Sequence, residues 1–188
     1  MTVVFDDIRQ DLGGNLRHGD VATFHGGLWK FLIERFAIRS MLDVGCGEGH
    51  AVKFFQSHGV LAHGIEGSIL NIKRAVTPIA LHDLLAGPYI MPVDLVWCCE
   101  VAEHIAEEKV DHLIDTLANG SVVAMTHAAP GQDGHHHVNL KDDAYWIDLM
   151  AKRGYVLDEG YLAYRQLANQ PYFGAYFGSS GLLFLKQE

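Results

Sequence analysis

Apolar and polar residues alternate along the chain in a pattern that predicts short strands separated by amphipathic helices. Between the strands, apolar residues recur at the three- and four-residue spacing of a helix that packs on a core. The segment 93–100 is almost continuously apolar, which is typical of a strand covered on both faces. Five segments are predicted to be strands of the main sheet: 41–44, 60–66, 78–83, 93–100 and 121–127.

Residues with special backbone roles mark the ends of several predicted helices. Ser68 is a predicted N-cap, because its hydroxyl can accept a hydrogen bond from the first turn. Gly59 and Gly154 are predicted to end the helices that precede them. The tail beyond Gly154 is rich in tyrosine, phenylalanine and glycine, and it predicts two further strands at 155–164 and 180–187.

This alternation predicts the α/β fold class: a single doubly wound, Rossmann-like, mostly parallel sheet with helices on both faces and an antiparallel C-terminal strand. One domain is predicted over 1–188, with 1–27 as a flap-like N-terminal segment that is polar and rich in glycine. In such sheets, ligands bind beyond the carboxyl ends of the strands. The candidate binding and catalytic residues of this chain follow the predicted strands at those ends.

Composition and charge agree with a globular protein and narrow its partners. The chain has 188 residues, 49% of them apolar and 20% charged, which is enough for one sizeable core. A formal net charge of -9 argues against binding along a phosphate backbone, so nucleic acid is not an expected partner. No segment predicts a membrane span or a secretory leader, and three cysteines without a CxxC pair predict no disulfide framework. A cytoplasmic location is therefore predicted, while the oligomeric state stays open.

Three glycines follow the first predicted strand in the segment MLDVGCGEGH, residues 41–50. Backbone without side chains can turn tightly and lie close to a ligand. A dinucleotide-binding GxGxxG motif would place glycine where this chain has His50. Asp43, two residues ahead of the first glycine, would repel a diphosphate but would suit a cationic amine or a sulfonium. These residues disfavour a nicotinamide-dependent dehydrogenase.

The segment LDVGCGEGH resembles the first motif of the class I S-adenosylmethionine (SAM)-dependent methyltransferases. The resemblance extends to Glu66 and Asp83, at the ends of the second and third strands, and to DLVWCCEVAEHI beyond them. It implies that Glu66 accepts hydrogen bonds from the ribose hydroxyls and that Asp83 binds the adenine amino group. It also implies SAM as cofactor and S-adenosylhomocysteine (SAH) as product. The implied SAM pocket comprises Asp43, Gly45, Cys46, Gly47, Gly49, Glu66, Gly67, His82, Asp83, Leu84, Cys99 and Glu100.

The fourth-strand motif ends in EVAEH, where Glu100, Glu103 and His104 would share one face of a helix. Together with His136 they resemble the metal ligands of small-RNA 3′-terminal ribose 2′-O-methyltransferases, which use ExxEH and a later histidine. The later histidine follows here after a shorter gap, and the chain is acidic. We therefore predict no metal: Glu100 lines the SAM pocket, while Glu103 and His104 hold the start of a helix. The metal set stays as the alternative.

The segment THAAPGQDGHHHVN, residues 126–139, follows the fifth predicted strand and is expected to lie over the mouth of the pocket. Methyl transfer to a hydroxyl needs a group that removes a proton, and imidazole suits this task near neutral pH. One of four histidines is predicted to face the acceptor, against the alternative of a purely structural loop: His127, His135, His136 and His137.

Several other conspicuous residues are predicted to be structural. His18 and His25 are expected to be solvated in the flap-like segment, and Cys98 and Cys99 to lie in the core at a strand end. Packing in the core and at its edges is predicted for the aromatic residues of the tail: Tyr161, Tyr164, Tyr172, Phe173, Tyr176 and Phe177.

Taken together, these features predict a SAM-dependent methyltransferase that methylates a hydroxyl oxygen of a small molecule or a sugar. One alternative is a metal-assisted ribose 2′-O-methyltransferase acting on RNA, which would need a divalent cation. Another is a catalytically silent domain that binds SAM, or nothing, and serves as a partner in a complex.

Overall fold

The computed structural model of the protein describes residues 3–4, 9–13, 15–169 and 175–187. Nine strands lie within these residues: β1 (Val3–Val4), β2 (Asn15–Leu16), β3 (Ser40–Val44), β4 (Leu61–Glu66), β5 (Ala80–Leu81), β6 (Val93–Cys98), β7 (Gly120–Met125), β8 (Tyr155–Leu157) and β9 (Leu182–Lys186). Seven helices accompany them: α1 (Gly26–Arg35), α2 (His50–Ser57), α3 (Ile69–Arg74), α4 (Val110–Leu117), α5 (Asp143–Ala151), α6 (Tyr161–Ala168) and α7 (Ala175–Ser180). None of the helices in the described part of the chain has the length and apolarity needed to cross a bilayer.

A seven-stranded sheet forms the centre of the protein in the order β5-β4-β3-β6-β7-β9-β8. The first five strands of this order are parallel, and β9 runs antiparallel to both β7 and β8. Strand order reverses at β3, because β4 lies on one side of it and β6 on the other. The predicted α/β class is confirmed: the sheet is doubly wound and mostly parallel, with antiparallel pairing by the C-terminal strand.

Helices cover both faces of the sheet because the side chains of the central strands alternate between two cores. In β6, Leu95 and Trp97 belong to the core on one face, and Val96 and Cys98 belong to the core on the other. Helices α1, α2, α6 and α7 pack on the first face, and α4 and α5 pack on the second. The continuously apolar sequence of β6 follows from this double burial.

The predicted helix ends agree with the backbone. The Ser68 hydroxyl accepts a hydrogen bond from the Leu70 N–H at 3.2 Å, at the start of α3. Gly59 after α2 and Gly154 after α5 have φ of 79° and 81°, in the left-handed region that ends many helices. These local signals were readable in the sequence because each involves only residues of one turn.

The tail differs from the prediction of two strands. The strand predicted at 155–164 is wrong beyond Leu157, because β8 has three residues and α6 follows it. The Asp158 carboxylate accepts hydrogen bonds from the Gly160 N–H at 2.7 Å and from the Tyr164 hydroxyl at 3.1 Å. These bonds turn the chain out of the sheet and begin a helix.

The strand predicted at 180–187 is confirmed over Leu182–Lys186, and α7 precedes it. Within this tail, Tyr164 and Phe177 are buried in the core, as predicted. Tyr172 and Phe173 lie outside the described residues.

His25 is buried, so the expectation that it is solvated is wrong. It is 3% exposed and lies against the rings of Trp29, Trp97 and Phe177, with centroid distances of 5.3 to 6.1 Å. Burial lowers the pKa of His25 from 6.5 to about 4. The neutral imidazole therefore serves as part of an aromatic core at the start of α1.

We expect this burial to make the folded state acid-sensitive. The unfolded chain binds the proton of His25 more readily between pH 6.5 and 4, so the free energy of unfolding falls as pH drops through that window. Between pH 7 and pH 4.5, the free energy of unfolding of His25→Phe should therefore fall by about 2 kcal/mol less than that of the unaltered protein. Urea unfolding at the two pH values measures this difference, with His63→Phe on the exposed face of β4 as control. If the free energy of unfolding of His25→Phe falls as much as that of the unaltered protein, burial of the His25 imidazole is not the cause of the acid sensitivity.

Candidate active site

A cavity of about 770 Å³ opens at the carboxyl ends of β3, β4 and β6. This is the edge at which doubly wound sheets bind ligands, next to the reversal of strand order. Of the residues predicted for the SAM pocket, Gly49 does not line the cavity and instead packs against Thr77 and Ile79. The others line it: Asp43, Gly45, Cys46, Gly47, Glu66, Gly67, His82, Asp83, Leu84, Cys99 and Glu100.

The loop after β3 has a backbone that glycine adopts most easily. Gly45, Gly47 and Gly49 have φ of 68°, 56° and 80°, all in the left-handed region. A Cβ on Gly45 would collide with the Val101 side chain, which follows β6. The glycines therefore let the chain turn sharply between β3 and α2, and they leave bare backbone on the cavity wall.

Glu66, the last residue of β4, ties its strand to this loop. Its carboxylate accepts hydrogen bonds from the Gly47 N–H at 2.8 Å and from the Ser68 N–H at 2.7 Å. The side chain is 9% exposed, and burial raises its pKa against the opposing effect of these N–H groups. One carboxylate thus holds two loops together at the cavity wall.

Asp43 is a second buried carboxylate on the same wall. Burial, with a smaller effect from the charge of Glu66, raises its pKa well above the ordinary value. Negative groups so close together in a poorly solvated site are stabilised by an adjacent cation. This part of the cavity fits a positively charged ligand group and would repel a diphosphate.

Asp83, beyond the end of β5, connects the cavity to the N-terminal segment. Its carboxylate lies 3.0 Å from Arg9 Nη1 and accepts a hydrogen bond from the Leu85 N–H at 2.9 Å. Leu12 packs opposite Gly67, so the N-terminal segment forms the outer wall at this end. A carboxylate has about four acceptor sites, which leaves capacity for a ligand amino group.

The end of β6 carries a left-handed residue that is not glycine. Glu100 has a φ of 59°, and its N–H donates to Thr126 Oγ1 at 2.8 Å. The Thr126 hydroxyl donates in turn to the Glu100 carboxylate at 2.9 Å. Such backbone persists only where its surroundings hold it, and it is concentrated at functional sites.

Glu103 and His104 lie in the 3-10 turn Ala102–His104 after β6, beside His137 of the histidine-rich loop. One potential ligand atom from each residue lies within 4.8 Å of the other two. Glu103 is fully buried, and neither carboxylate oxygen has a hydrogen-bond partner among the described residues. Burial, followed by the charge of Glu100, raises its pKa to about 8. A buried carboxylate of this kind needs a proton or a cation to neutralise it.

Backbone carbonyls orient the two imidazoles of this cluster. His104 Nδ1 donates to the His136 carbonyl at 3.1 Å, and His137 Nδ1 donates to the Gln132 carbonyl at 3.3 Å. A carbonyl only accepts, so each Nδ1 carries a proton, and the lone pair of either ring in its uncharged form lies on Nε2. Burial lowers the pKa of His104 to about 4, so this ring is neutral at physiological pH. The three side chains fit a divalent transition metal by their donor chemistry.

The four histidines considered as a base occupy different environments. His135 and His137 line the cavity. His136 contributes its carbonyl, not its ring, to the cluster around His104. His127 is 2% exposed and lies outside the cavity lining, with Nε2 at 2.9 Å from Asp143 of α5.

Solved structures similar to this chain include three methyltransferases. The sugar N-methyltransferase KedS8 from Streptoalloteichus sp. ATCC 53650 is 18% identical, with a TM-score of 0.67 over 100% of this chain and 98% of that chain. The methyltransferase domain of bacterial CtHen1-C is 16% identical, with a TM-score of 0.62 over 89% of this chain and 100% of that chain. Magnesium protoporphyrin IX methyltransferase from Synechocystis PCC 6803, with SAH bound, is 16% identical, with a TM-score of 0.60 over 86% of this chain and 84% of that chain.

The chain has the class I methyltransferase fold. No protein-family model and no curated protein sequence matches it. At these identities the solved structures establish the class I fold alone, and the chemistry has to be argued from the residues of the cavity.

Three cavity residues of this class I fold were not predicted from the sequence. Glu48 lies within the glycine motif, is 3% exposed and accepts a hydrogen bond from the His18 N–H at 3.1 Å. Its position between two glycines of the motif could have indicated from the sequence that it lies at the cavity. The Tyr176 hydroxyl donates to the Asp20 carboxylate at 3.1 Å, and no local pattern could pair residues so far apart in the chain.

We expect Gly45→Ala to destabilise the protein by about 2 kcal/mol, because alanine is strained at this φ and its Cβ meets Val101. Gly27→Ala in α1 is the matched control, since a Cβ there meets nothing within 4 Å. It should stabilise the protein by up to about 1 kcal/mol. Urea unfolding of both variants measures the difference, and equal effects would contradict the role given to the loop.

Proposed function

We propose that the protein is a SAM-dependent methyltransferase that methylates a hydroxyl oxygen of a small molecule or a sugar. The observation that carries the proposal is the glycine loop held by Glu66, with Asp43 buried beside it on the cavity wall. The fold shared with an SAH-bound methyltransferase supports the same cofactor. Three free thiols, Cys46, Cys98 and Cys99, fit a cytoplasmic location.

The residues on the cavity wall can be matched to the adenine, ribose and methionine parts of SAM. Asp83 and Leu84 would face the adenine, and Glu66 the ribose. Asp43 and the bare backbone of the glycine loop would lie near the positively charged methionine part. When bound, SAM supplies a methyl group whose carbon–sulfur bond breaks as the acceptor oxygen forms its bond to carbon, which leaves SAH.

The acceptor hydroxyl has to lose a proton as its oxygen is methylated. His137 lines the cavity, and its Nδ1–H is held by the Gln132 carbonyl, so its Nε2 is the atom we propose as proton acceptor. His127 is a poorer candidate, because it is buried and bonded to Asp143. A catalytically silent domain remains the alternative if SAH binds and no acceptor is methylated.

Calorimetry with SAH tests the cofactor. We expect the protein to bind SAH and to ignore NAD, and Glu66→Gln to weaken SAH binding about 10- to 100-fold, because the amide holds the loop with a single acceptor oxygen. Glu108→Gln, at an exposed position after β6, is the control and should bind like the unaltered protein. Tight binding of NAD, or no binding of SAH, would remove the proposal.

A second candidate function is metal-assisted 2′-O-methyl transfer to a ribose. The unpartnered, fully buried carboxylate of Glu103 beside His104 and His137 favours it. A divalent metal held there would lower the pKa of a hydroxyl bound to it. The fold is also shared with the methyltransferase domain of CtHen1-C.

Cobalt(II) absorption tests this second candidate without needing an acceptor. If it is correct, Co²⁺ gives visible absorption bands with the protein, and His137→Ala and Glu103→Gln abolish them. His135→Ala, in the same loop but outside the three-residue cluster, should keep them. Absence of bands, or equal loss in His135→Ala, would exclude a metal at this cluster.

A further inference from the structure

The lining of the cavity is rich in carboxyl groups. Eight carboxylates line it, and the described residues that line it include neither lysine nor arginine. The carboxylates are those of Asp11, Asp20, Asp43, Glu48, Glu66, Asp83, Glu100 and Glu103. Such a wall disfavours acceptors that carry phosphate or carboxylate groups.

Half of these carboxylates are already neutralised or bound at the cofactor end. Asp11 and Asp83 pair with Arg9, at 2.7 and 3.0 Å. Glu66 accepts backbone N–H groups, and Glu48 accepts a hydrogen bond from the His18 N–H at 3.1 Å. A fifth carboxyl group, that of Asp43, lines the part of the cavity that we assign to the sulfonium.

The remaining three carboxyl groups, those of Asp20, Glu100 and Glu103, line the part of the cavity that we assign to the acceptor. They are near enough for the charge of Asp20 to act on Glu100 and that of Glu100 to act on Glu103. Asp20 accepts from the Tyr176 hydroxyl, and Glu100 accepts from the Thr126 hydroxyl. Neither has a cationic side chain within 4.0 Å in the described ranges. Burial, with a smaller effect from the charge of Asp20, raises the pKa of Glu100.

Glu103 gives a second, independent indication that a cation belongs here. Its side chain is 0% exposed, it lines the cavity, and both its oxygens lack a partner in the part of the chain that the structure describes. Backbone bonds to its carbonyl from Val138 and Asn139 hold the residue in place at 2.9 and 3.1 Å. A cationic donor on a ligand would satisfy these two oxygens in place of the proton that otherwise neutralises the carboxyl group.

We propose that Asp20, Glu100 and Glu103 form a subsite for a positively charged amine on the acceptor. This inference rests on the proposed function and narrows its substrate class to small hydroxyl compounds that also carry an ammonium group, of which amino sugars are one kind. The Tyr176–Asp20 bond positions one wall of the subsite, since it joins α7 to the N-terminal segment. An ammonium group has three donors, which matches three carboxylates.

Two probes of the same shape test the subsite: cyclohexylamine, a cation at pH 7, and cyclohexanol, which is neutral. Both are titrated into SAH-loaded protein in buffer with chelator, with binding followed by calorimetry or ligand-observed NMR. We expect the amine to bind at least about tenfold tighter than the alcohol. In Asp20→Asn and Glu100→Gln the preference should fall below about threefold, while Asp133→Asn, at an exposed loop position, keeps it.

Equal affinity for the two probes, or a preference that survives both substitutions, overturns the proposal. Tight binding of Mn²⁺ that abolishes the amine preference also overturns it, because the three carboxyl groups would then form a metal site and not an ammonium subsite. Thermal melting checks that each variant folds. If Glu100→Gln does not fold, the amine preference of Asp20→Asn alone decides whether the subsite exists. SAH binding is measured separately, so an amine preference without SAH binding would reject the proposed function and leave the cation subsite standing.

Discussion

The structure of the cavity depends on the buried carboxylate of Glu66. By accepting the N–H groups of Gly47 and Ser68, it fixes the glycine loop after β3 to the turn after β4. These bonds are charge-assisted and poorly solvated, which makes them stronger than neutral surface hydrogen bonds. The loop can take its left-handed turns only because glycines stand there, and it keeps one shape because Glu66 holds it. Pairing of β3 with β4 and β6 holds Asp43 beside this loop, and Val101, which follows β6, packs against Gly45.

Electrostatics, more than topology, separates this cavity from a dinucleotide site. The same sheet edge can bind a diphosphate when the strand end is apolar and helix N–H groups face the ligand. Here Asp43 and Glu66 occupy that edge, and the described residues that line the cavity include neither lysine nor arginine. A ligand with a positive charge at its centre relieves the repulsion between these carboxylates. The acidic character continues past β6 to Glu103, so cofactor end and acceptor end favour ligands of the same sign.

Sequence reasoning failed in two places, for two different reasons. His25 was expected in solvent because its neighbours are polar and glycine-rich, yet Trp29 of the adjoining helix α1 encloses it together with Trp97 and Phe177 from distant segments. The tail was expected to form strands because tyrosine favours them, yet the Asp158 side chain turns the chain into α6. At His25, contacts with residues distant in the chain outweighed the character of the local sequence. In the tail, a local polar turn outweighed the preference of tyrosine for strands.

By itself the sequence determined the order of strands and helices from α1 to Gly154, the glycine loop and the acids at the strand ends. It could do so because periodicity, left-handed turns and residues directly after a strand are local properties of the chain. Only the tertiary structure decided that His137, and not the His136 ring, joins Glu103 and His104, and that His127 turns away toward Asp143. It also decided that Asp20 meets Tyr176. Those partnerships depend on how loops far apart in sequence close over one sheet edge, and no short-range pattern encodes that closure.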